Sequence, residues 1–219
     1  MRIVKVSGIF VAGIVLMLAM AALPGDDPSA PGGSVLDRFT PEELKKLEAG
    51  EAVYQLVQTE DADGKTRGHG QSSALINAPI DLCFKIFCEF DKHHLFFPRK
   101  KKSEVKKTWD NKALVYKEFD FYVVTVEYTV LYTVDSDIHR VDFQMDREYP
   151  HDIEDTAGYF HFEKVDDQRT LFTYAATKVE TGVKVPGFIQ EYITSRDLPN
   201  VVLSVKKRIE SGGKWTKDD

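Results

Sequence analysis

Val123-Val124-Thr125-Val126-Glu127-Tyr128-Thr129-Val130-Leu131-Tyr132-Thr133-Val134 is the stretch on which the fold turns. Val124, Val126, Tyr128, Val130, Tyr132 and Val134 share one side of an extended chain. Thr125, Glu127, Thr129 and Thr133 share the other, with Val123 and Leu131 as apolar exceptions. A period of two with one apolar face marks a half-buried antiparallel strand. Downstream, Asp135-Ser136-Asp137 turns the chain, and Val141, Phe143 and Met145 alternate with Arg140, Asp142 and Gln144. Two more strands are expected at 157–165 and 170–179, joined by Asp166-Asp167-Gln168. Upstream, the β pattern begins near Ser103. Earlier still, strands at 52–59 and 66–76 flank the turn Asp61-Ala62-Asp63-Gly64. Gly68 and Gly70 weaken the second of these and predict a bulge.

Helical segments bracket the strands. Thr40-Pro41-Glu42-Glu43 combines a capping residue, a proline at the first helical position and a capping-box Glu. That helix runs to about Ala49 and stops at Gly50. Asn77-Ala78-Pro79 opens a second helix, whose Ile80, Cys83, Phe84 and Phe87 form one apolar face and which ends near Asp91. After Pro186-Gly187 a last helical segment is expected from Phe188 to Glu210. Ile189, Tyr192 and Ile193 start its apolar face, and Leu198, Val202, Val205 and Ile209 continue it. Pro199 should kink or restart this helix, with Asp197 placed to cap the second part. Runs of strands flanked by helices give an α+β class. The expected architecture is a curved antiparallel sheet wrapped around a long C-terminal helix, with an apolar cavity between them; a volume of a few hundred Å³ would support ligand binding.

The ends of the chain read separately. Arg2 and Lys5 precede an apolar run from Ile9 to Leu18, and Ala19-Met20-Ala21 supplies the small residues of a cleavage site. This is the pattern of an export signal over 1–21, and a periplasmic location is expected. The alternative is an uncleaved segment that tethers the domain to a membrane. The Pro/Gly/Asp-rich residues that follow predict a linker over 22–38. A short helix over 39–51, a ligand-binding domain over 52–211 and a disordered tail over 212–219 complete the expected organisation.

Charge and motifs narrow the chemistry. The formal charge is −6; without Arg2 and Lys5 it is −8, with 27 basic against 35 acidic residues. Such a balance opposes phosphate backbones, so no nucleic-acid partner is expected. Cys83 and Cys88, five apart on one helix, point about 140° away from each other, which disfavours a disulfide between them. The six histidines show no ligand spacing. Neither a metal nor a cofactor is expected, and no nucleotide loop or serine-hydrolase elbow is present. Glu118, Glu127, Arg140 and His161 sit on strands. Glu127 and Arg140 phase to polar faces, and His161 alone is kept as an acid/base candidate.

Asn77-Ala78-Pro79-Ile80-Asp81, Phe90-Asp91-Lys92, the run Leu95 to Val105 and Leu198-Pro199 together resemble the START-like (SRPBCC, helix-grip) superfamily, in its coenzyme Q-binding and polyketide cyclase/dehydrase branch. The resemblance covers about Ala52 to Ser211. Arg99-Lys100 stand where the quinone-binding branch tends to carry Trp-Cys, a departure that weakens quinone as the ligand. The resemblance implies a cavity under the C-terminal helix that holds lipids, sterols, quinones, hormones or polyketides.

Two sets of site residues follow. Val126, Tyr128, Val130, Tyr132, Phe143, Phe172, Tyr174, Phe188 and Tyr192 are expected to line the cavity. Phe96, Phe97, Arg99, Lys100, Lys101 and Lys102 combine consecutive aromatics with four consecutive cations, the composition of a membrane-surface contact. The expected function is that of an exported, non-catalytic carrier for an apolar small molecule or lipid. The alternatives are a cyclase or dehydratase acting in the same cavity, and a protein-interaction module.

Overall fold

The computed structural model describes residues 33–60, 66–121, 124–182 and 197–218. The expected signal over 1–21, and Phe188 and Tyr192, lie outside the described residues. In chain order the elements are α1 (Pro41–Glu48), β1 (Val53–Glu60), β2 (Thr66–Ile76), α2 (Ile80–Phe87), a 3-10 turn (Phe90–Lys92), α3 (His93–Phe96), β3 (Lys100–Trp109), β4 (Lys112–Asp120), β5 (Thr125–Asp135), β6 (Arg140–Met145), β7 (Asp155–Lys164), β8 (Thr170–Glu180) and α4 (Leu198–Glu210). The eight described strands form one sheet in the order β1-β2-β8-β7-β6-β5-β4-β3. Every neighbouring pair is antiparallel.

The alternation expected for β5 is the one that builds the core. Val126, Val130 and Tyr132 are buried on the inner face. Ile76, Val115, Val141, Phe160, Phe162 and Phe172 join them from other strands. The helices close this face: Cys83, Phe84 and Phe87 come from α2, and Val201, Val202, Val205 and Ile209 from α4. The outer face is covered at one end, where Leu47 of α1 packs with Phe39, Val53, Leu75 and Leu171. The capping box forms as expected. The Glu43 amide donates to Thr40 Oγ1 at 3.3 Å, and the Thr40 amide donates to Glu43 Oε2 at 2.8 Å.

Several expectations are corrected. The bulges do not fall at Gly68 or Gly70, since β2 pairs without interruption with both its neighbours. They fall in β3, at Lys100/Lys102 and Val105/Lys107, and in β8 at Thr177, opposite Ala157 and Gly158 of β7. Gly70 serves close approach instead: a Cβ there would stand 3.1 Å from Leu198 Cδ1 at the start of α4. The helix opened by Pro79 ends at Phe87, and the chain reaches Lys100 through two shorter turns. α4 starts at Leu198 with Pro199 in its first turn, but Asp197 makes no side-chain cap. Its backbone is already helical (φ −73°, ψ −36°), whereas a cap needs an extended residue.

Both boundaries of the domain move outward. Val35 and Leu36, assigned to the linker, pack against the α1 cluster. Arg38 forks onto the Glu163 carboxylate of β7, with Nη1 to Oε1 at 2.9 Å. The tail expected to be disordered is docked. Trp215 packs on the core and its carbonyl accepts from Arg208 at 2.8 Å, while the Lys217 amide donates to Leu95 O at 2.9 Å. An indole has enough apolar surface to hold a short segment that composition alone reads as unstructured.

Candidate functional site

A partly open cavity of about 80 Å³ lies between the inner face of the sheet and the start of α4. Its walls are aromatic. Tyr128 of β5, Phe143 of β6, Phe160 of β7 and Tyr174 of β8 line it, with Leu198 and Val201 of α4 above. Phe160 and Tyr174 stack at 4.6 Å between ring centres, so one wall is a continuous aromatic surface. Of the residues expected here, Val126, Tyr128, Phe143 and Tyr174 line the cavity. Val130, Tyr132 and Phe172 do not. They are fully buried in the solid part of the core, where Phe172 stacks on Phe162 and Tyr132 on Phe90. The rings of the inner face thus fill most of the volume expected to be open, which is why the cavity falls well short of a few hundred Å³.

Two lysines line the same cavity. Lys117 shares the inner face of β4 with Ala113, Val115 and Phe119, and the strand register sets it opposite Tyr128. Its Nζ faces the rings of Tyr132, Phe143 and Tyr128, at 4.8, 5.2 and 5.8 Å from their centres. Lys100 opens β3 opposite Phe119 and has no exposed surface. Its Nζ stands 3.9 Å from the centre of the Phe97 ring and has no hydrogen-bond partner. Because Phe119 and Lys117 are two apart on β4, Lys100 and Lys117 are diagonal neighbours across the strand pair. Burial drives the Lys117 amine down from 10.5 to about 7. Burial first, then the charges of Lys117 and Lys217, hold Lys100 well below its usual value.

The bulge in β3 explains why Lys100 turns inward and its neighbours do not. Arg99 adopts a left-handed conformation (φ 58°), and the register shift between Lys100 and Lys102 makes Lys101 the extra residue. Two successive side chains therefore point outward. Lys101 pairs with Asp120 at 2.9 Å and Lys102 with Glu104 at 2.8 Å. The expected membrane contact is corrected for Phe96, Phe97 and Lys100. Phe96, Phe97 and Lys100 are 1, 4 and 0% exposed, so they belong to the interior. Arg99 stands over the Phe121 ring, and Lys101 and Lys102 are neutralised by acids.

The polar candidates on strands lie on the outer face. Glu127 accepts from the Tyr116 hydroxyl at 2.5 Å, and Arg140 stacks 3.9 Å from the Tyr159 ring centre while bonding Asp142. Glu118 shares the β4 face of Tyr116. His161 alternates with Phe160 and Phe162, and so points away from the cavity, with Nδ1 3.7 Å from Glu163. As an acid/base for a cavity ligand it is set aside. The fully buried histidine is His93, which hydrogen-bonds Phe87 O at 2.8 Å and stacks on Phe97. Burial, followed by the charge of Lys100, holds it well below its usual value, so the ring is neutral. Cys83 and Cys88 are free thiols, pushed by burial to about 11 and about 12. Among the described residues no three His, Cys, Asp or Glu side chains converge as a metal site would require.

Lys117 was legible in the sequence, because it shares parity with Ala113, Val115 and Phe119. Lys100 was not, since only the bulge separates it from the exposed cations beside it.

An eight-stranded antiparallel sheet closed by a C-terminal helix over an internal cavity is an arrangement with solved counterparts. The Zhui aromatase/cyclase from Streptomyces sp. R1128 superposes with a TM-score of 0.56 at 14% identity, over 72% of this chain and 94% of that one. A STAR-related lipid transfer protein from Xanthomonas axonopodis gives 0.55 at 13%, over 70% and 98% of the two chains. A START superfamily protein from Mycobacterium smegmatis gives 0.54 at 10%, over 74% and 99%. The chain has the START-like, helix-grip fold. No family model matches the sequence, and no curated protein does. The START-like domain has its cavity where one was expected, between the sheet and the last helix. Its cavity carries two buried amines among aromatic rings.

Proposed function

We propose that the START-like domain is a binding or carrier protein that holds one largely apolar small molecule in this cavity without transforming it. The observation that carries the reading is the cavity itself, walled by Tyr128, Phe143, Phe160 and Tyr174 and capped by α4. Concave aromatic surface with a few polar groups is the usual form of a small-molecule site. An engineered apolar cavity of roughly 150 Å³ holds benzene. At about 80 Å³ the present cavity takes a smaller guest as it stands, and a lipid enters only as the wall moves outward. Absence of turnover is supported by the outward direction of His161, Glu127 and Arg140. The apolar run before Ala21 supports export, with the ligand handled outside the cytoplasm.

The test is native mass spectrometry of the purified protein, combined with solvent extraction and direct titration with apolar compounds. One bound or bindable apolar ligand per chain, recovered unchanged, is the expected result. A protein that neither retains nor binds any such compound would overturn the reading. The second reading, a cyclase or dehydratase, draws on Lys117, whose amine titrates near neutrality inside the cavity. Recovery of a chemically altered ligand would favour it.

A further inference from the structure

Given the apolar-ligand reading above, we propose that Lys100 and Lys117 together receive the head of that ligand, and that the head is a carboxylate. The ligand class is therefore an amphiphilic acid, its carboxylate at the β3–β4 end of the cavity and its apolar part along Tyr128, Phe143 and Phe160.

Among the described residues neither amine has the counter-charge that a buried lysine ordinarily has. Lys100 Nζ is fully buried, lines the cavity and has no hydrogen-bond partner among the described residues. Lys117 reaches the same cavity from the next strand, with aromatic rings around its Nζ. Neither amine has a carboxylate at ion-pair distance among the described residues, and the charges that act on Lys100 are those of two further lysines, Lys117 and Lys217. Asp197 also lines the cavity, but at the α4 end, where its field acts on Tyr128 and Tyr174. Burying one amine without a counter-charge is costly, and burying two as neighbours adds their repulsion. Stability does not account for the pair, because an apolar side chain of similar length would fill either position at lower cost. A bound anion changes the sign of the arrangement. Between two ammonium groups, in surroundings of low polarity, a carboxylate accepts charge-assisted hydrogen bonds from both. The rings stay in place as the apolar wall for the rest of the ligand.

The proposal carries a protonation signature. Burial holds both amines below their usual values, and Lys117, at about 7, is largely unprotonated at pH 8. An arriving carboxylate favours the ammonium forms, and its binding takes up protons. Among the described residues, the groups that face the pair are the rings of Phe97, Phe119, Tyr128, Tyr132 and Phe143, the neutral His93, and Lys217, whose Nζ donates to Lys100 O at 2.7 Å. None of them supplies a negative charge at neutral pH.

The test compares decanoate with decanol by isothermal titration calorimetry on the full chain, in two buffers of different ionisation enthalpy at about pH 8. The expected result is that decanoate binds about tenfold or more tighter than decanol, with proton uptake visible as a buffer-dependent enthalpy. Lys117→Met and Lys100→Met are each expected to remove most of that preference while decanol binding persists. The wild-type comparison stands even if a variant fails to fold. Equal affinity for acid and alcohol, or a preference untouched in both variants, would overturn the carboxylate assignment and leave the apolar-ligand reading intact. Binding of neither compound, with the smaller pair butyrate and butanol equally unbound, would overturn the apolar-ligand reading itself. A borohydride-trapped adduct formed with decanal, in a protein indifferent to decanoate, would replace anion binding by imine chemistry at the same amines.

Discussion

The amine of Lys117 lies 4.8 Å from the centre of the Tyr132 ring, and both side chains are buried. Aromatic faces attract a cation, but they do not replace water or a carboxylate. Lys117 is accordingly held at about 7 in the folded protein, against 10.5 for the ordinary side chain. The unfolded chain binds more protons than the folded one between these values. Stability linked to Lys117 is therefore fully present above about 10.5 and is lost as the pH falls toward 7. Urea denaturation of the wild type should show stability rising between pH 7 and 9, and in Lys117→Met that rise should be smaller. At pH 7 the variant should be as stable as the wild type or more so, by about 1–3 kcal/mol. A variant clearly less stable at pH 7 would mean the amine has a stabilising partner.

Gly158 of β7 sits opposite the β8 bulge with no room for a side chain. A Cβ there would come within 2.1 Å of Ala175 O and 2.7 Å of Phe143 Cζ. Gly158→Ala should cost about 1–3 kcal/mol by overpacking and should distort the Phe143 wall of the cavity. Gly70→Ala should cost less. There the nearest atom is the Tyr54 hydroxyl at 2.8 Å, on a side chain 39% exposed and able to swing away. Thermal melts of the two variants should rank in that order, and the reverse order would contradict the packing described.

Arg38 ties the segment before α1 to the sheet. Its partner Glu163 is 8% exposed, and His161 Nδ1 stands 3.7 Å from the same carboxylate. Arg38→Ala leaves that carboxylate buried beside an imidazole, for an expected loss of about 1–3 kcal/mol, moderated because Arg38 itself is partly exposed. Arg38→Ala combined with Glu163→Gln should be less damaging than the sum of the two single changes. His161 offers a second readout. Burial chiefly, and the Arg38 charge in part, hold its imidazole below the usual 6.5, so an NMR titration in Arg38→Ala should move upward. An unchanged His161 titration would show that the guanidinium is not felt there.

Truncation after Gly213 removes Trp215 and Lys217. Arg208, 5% exposed, then loses the carbonyl that it donates to, and Leu95 O loses its amide donor. An expected loss of about 1–3 kcal/mol follows from the buried indole surface alone. A truncated chain with an unchanged denaturation midpoint would restore the tail to the status of an unstructured end.

Much of the architecture is dictated locally, and so could be read from residues. The period of two in β5, the capping box at Thr40 and the apolar face of α2 are each set by neighbours a few positions away, and each appears where its pattern predicts. The inner-face parity of Val126, Tyr128, Phe143 and Tyr174 follows from the same rule, and all four line the cavity. What local pattern cannot supply is the depth to which long-range packing fills a face. Tyr132 and Phe172 share that parity, but stacking on Phe90 and Phe162 makes them core rather than cavity wall.

The sequence by itself determined the faces of β5 and β6 and the starts of α1 and α2, because backbone geometry places side chains in a way that depends on nothing distant. Only the tertiary structure decided which of the consecutive cations at 99–102 is interior. One extra residue in β3 turns Lys100 inward and leaves Lys101 and Lys102 outside, and a bulge is set by the pairing of two strands rather than by the composition of either. The same pairing brings Lys100 beside Lys117 across the β3–β4 ladder. Two amines distant in the chain thus face the same aromatic cavity, where the low polarity of their surroundings gives them the chemistry that neither has in water.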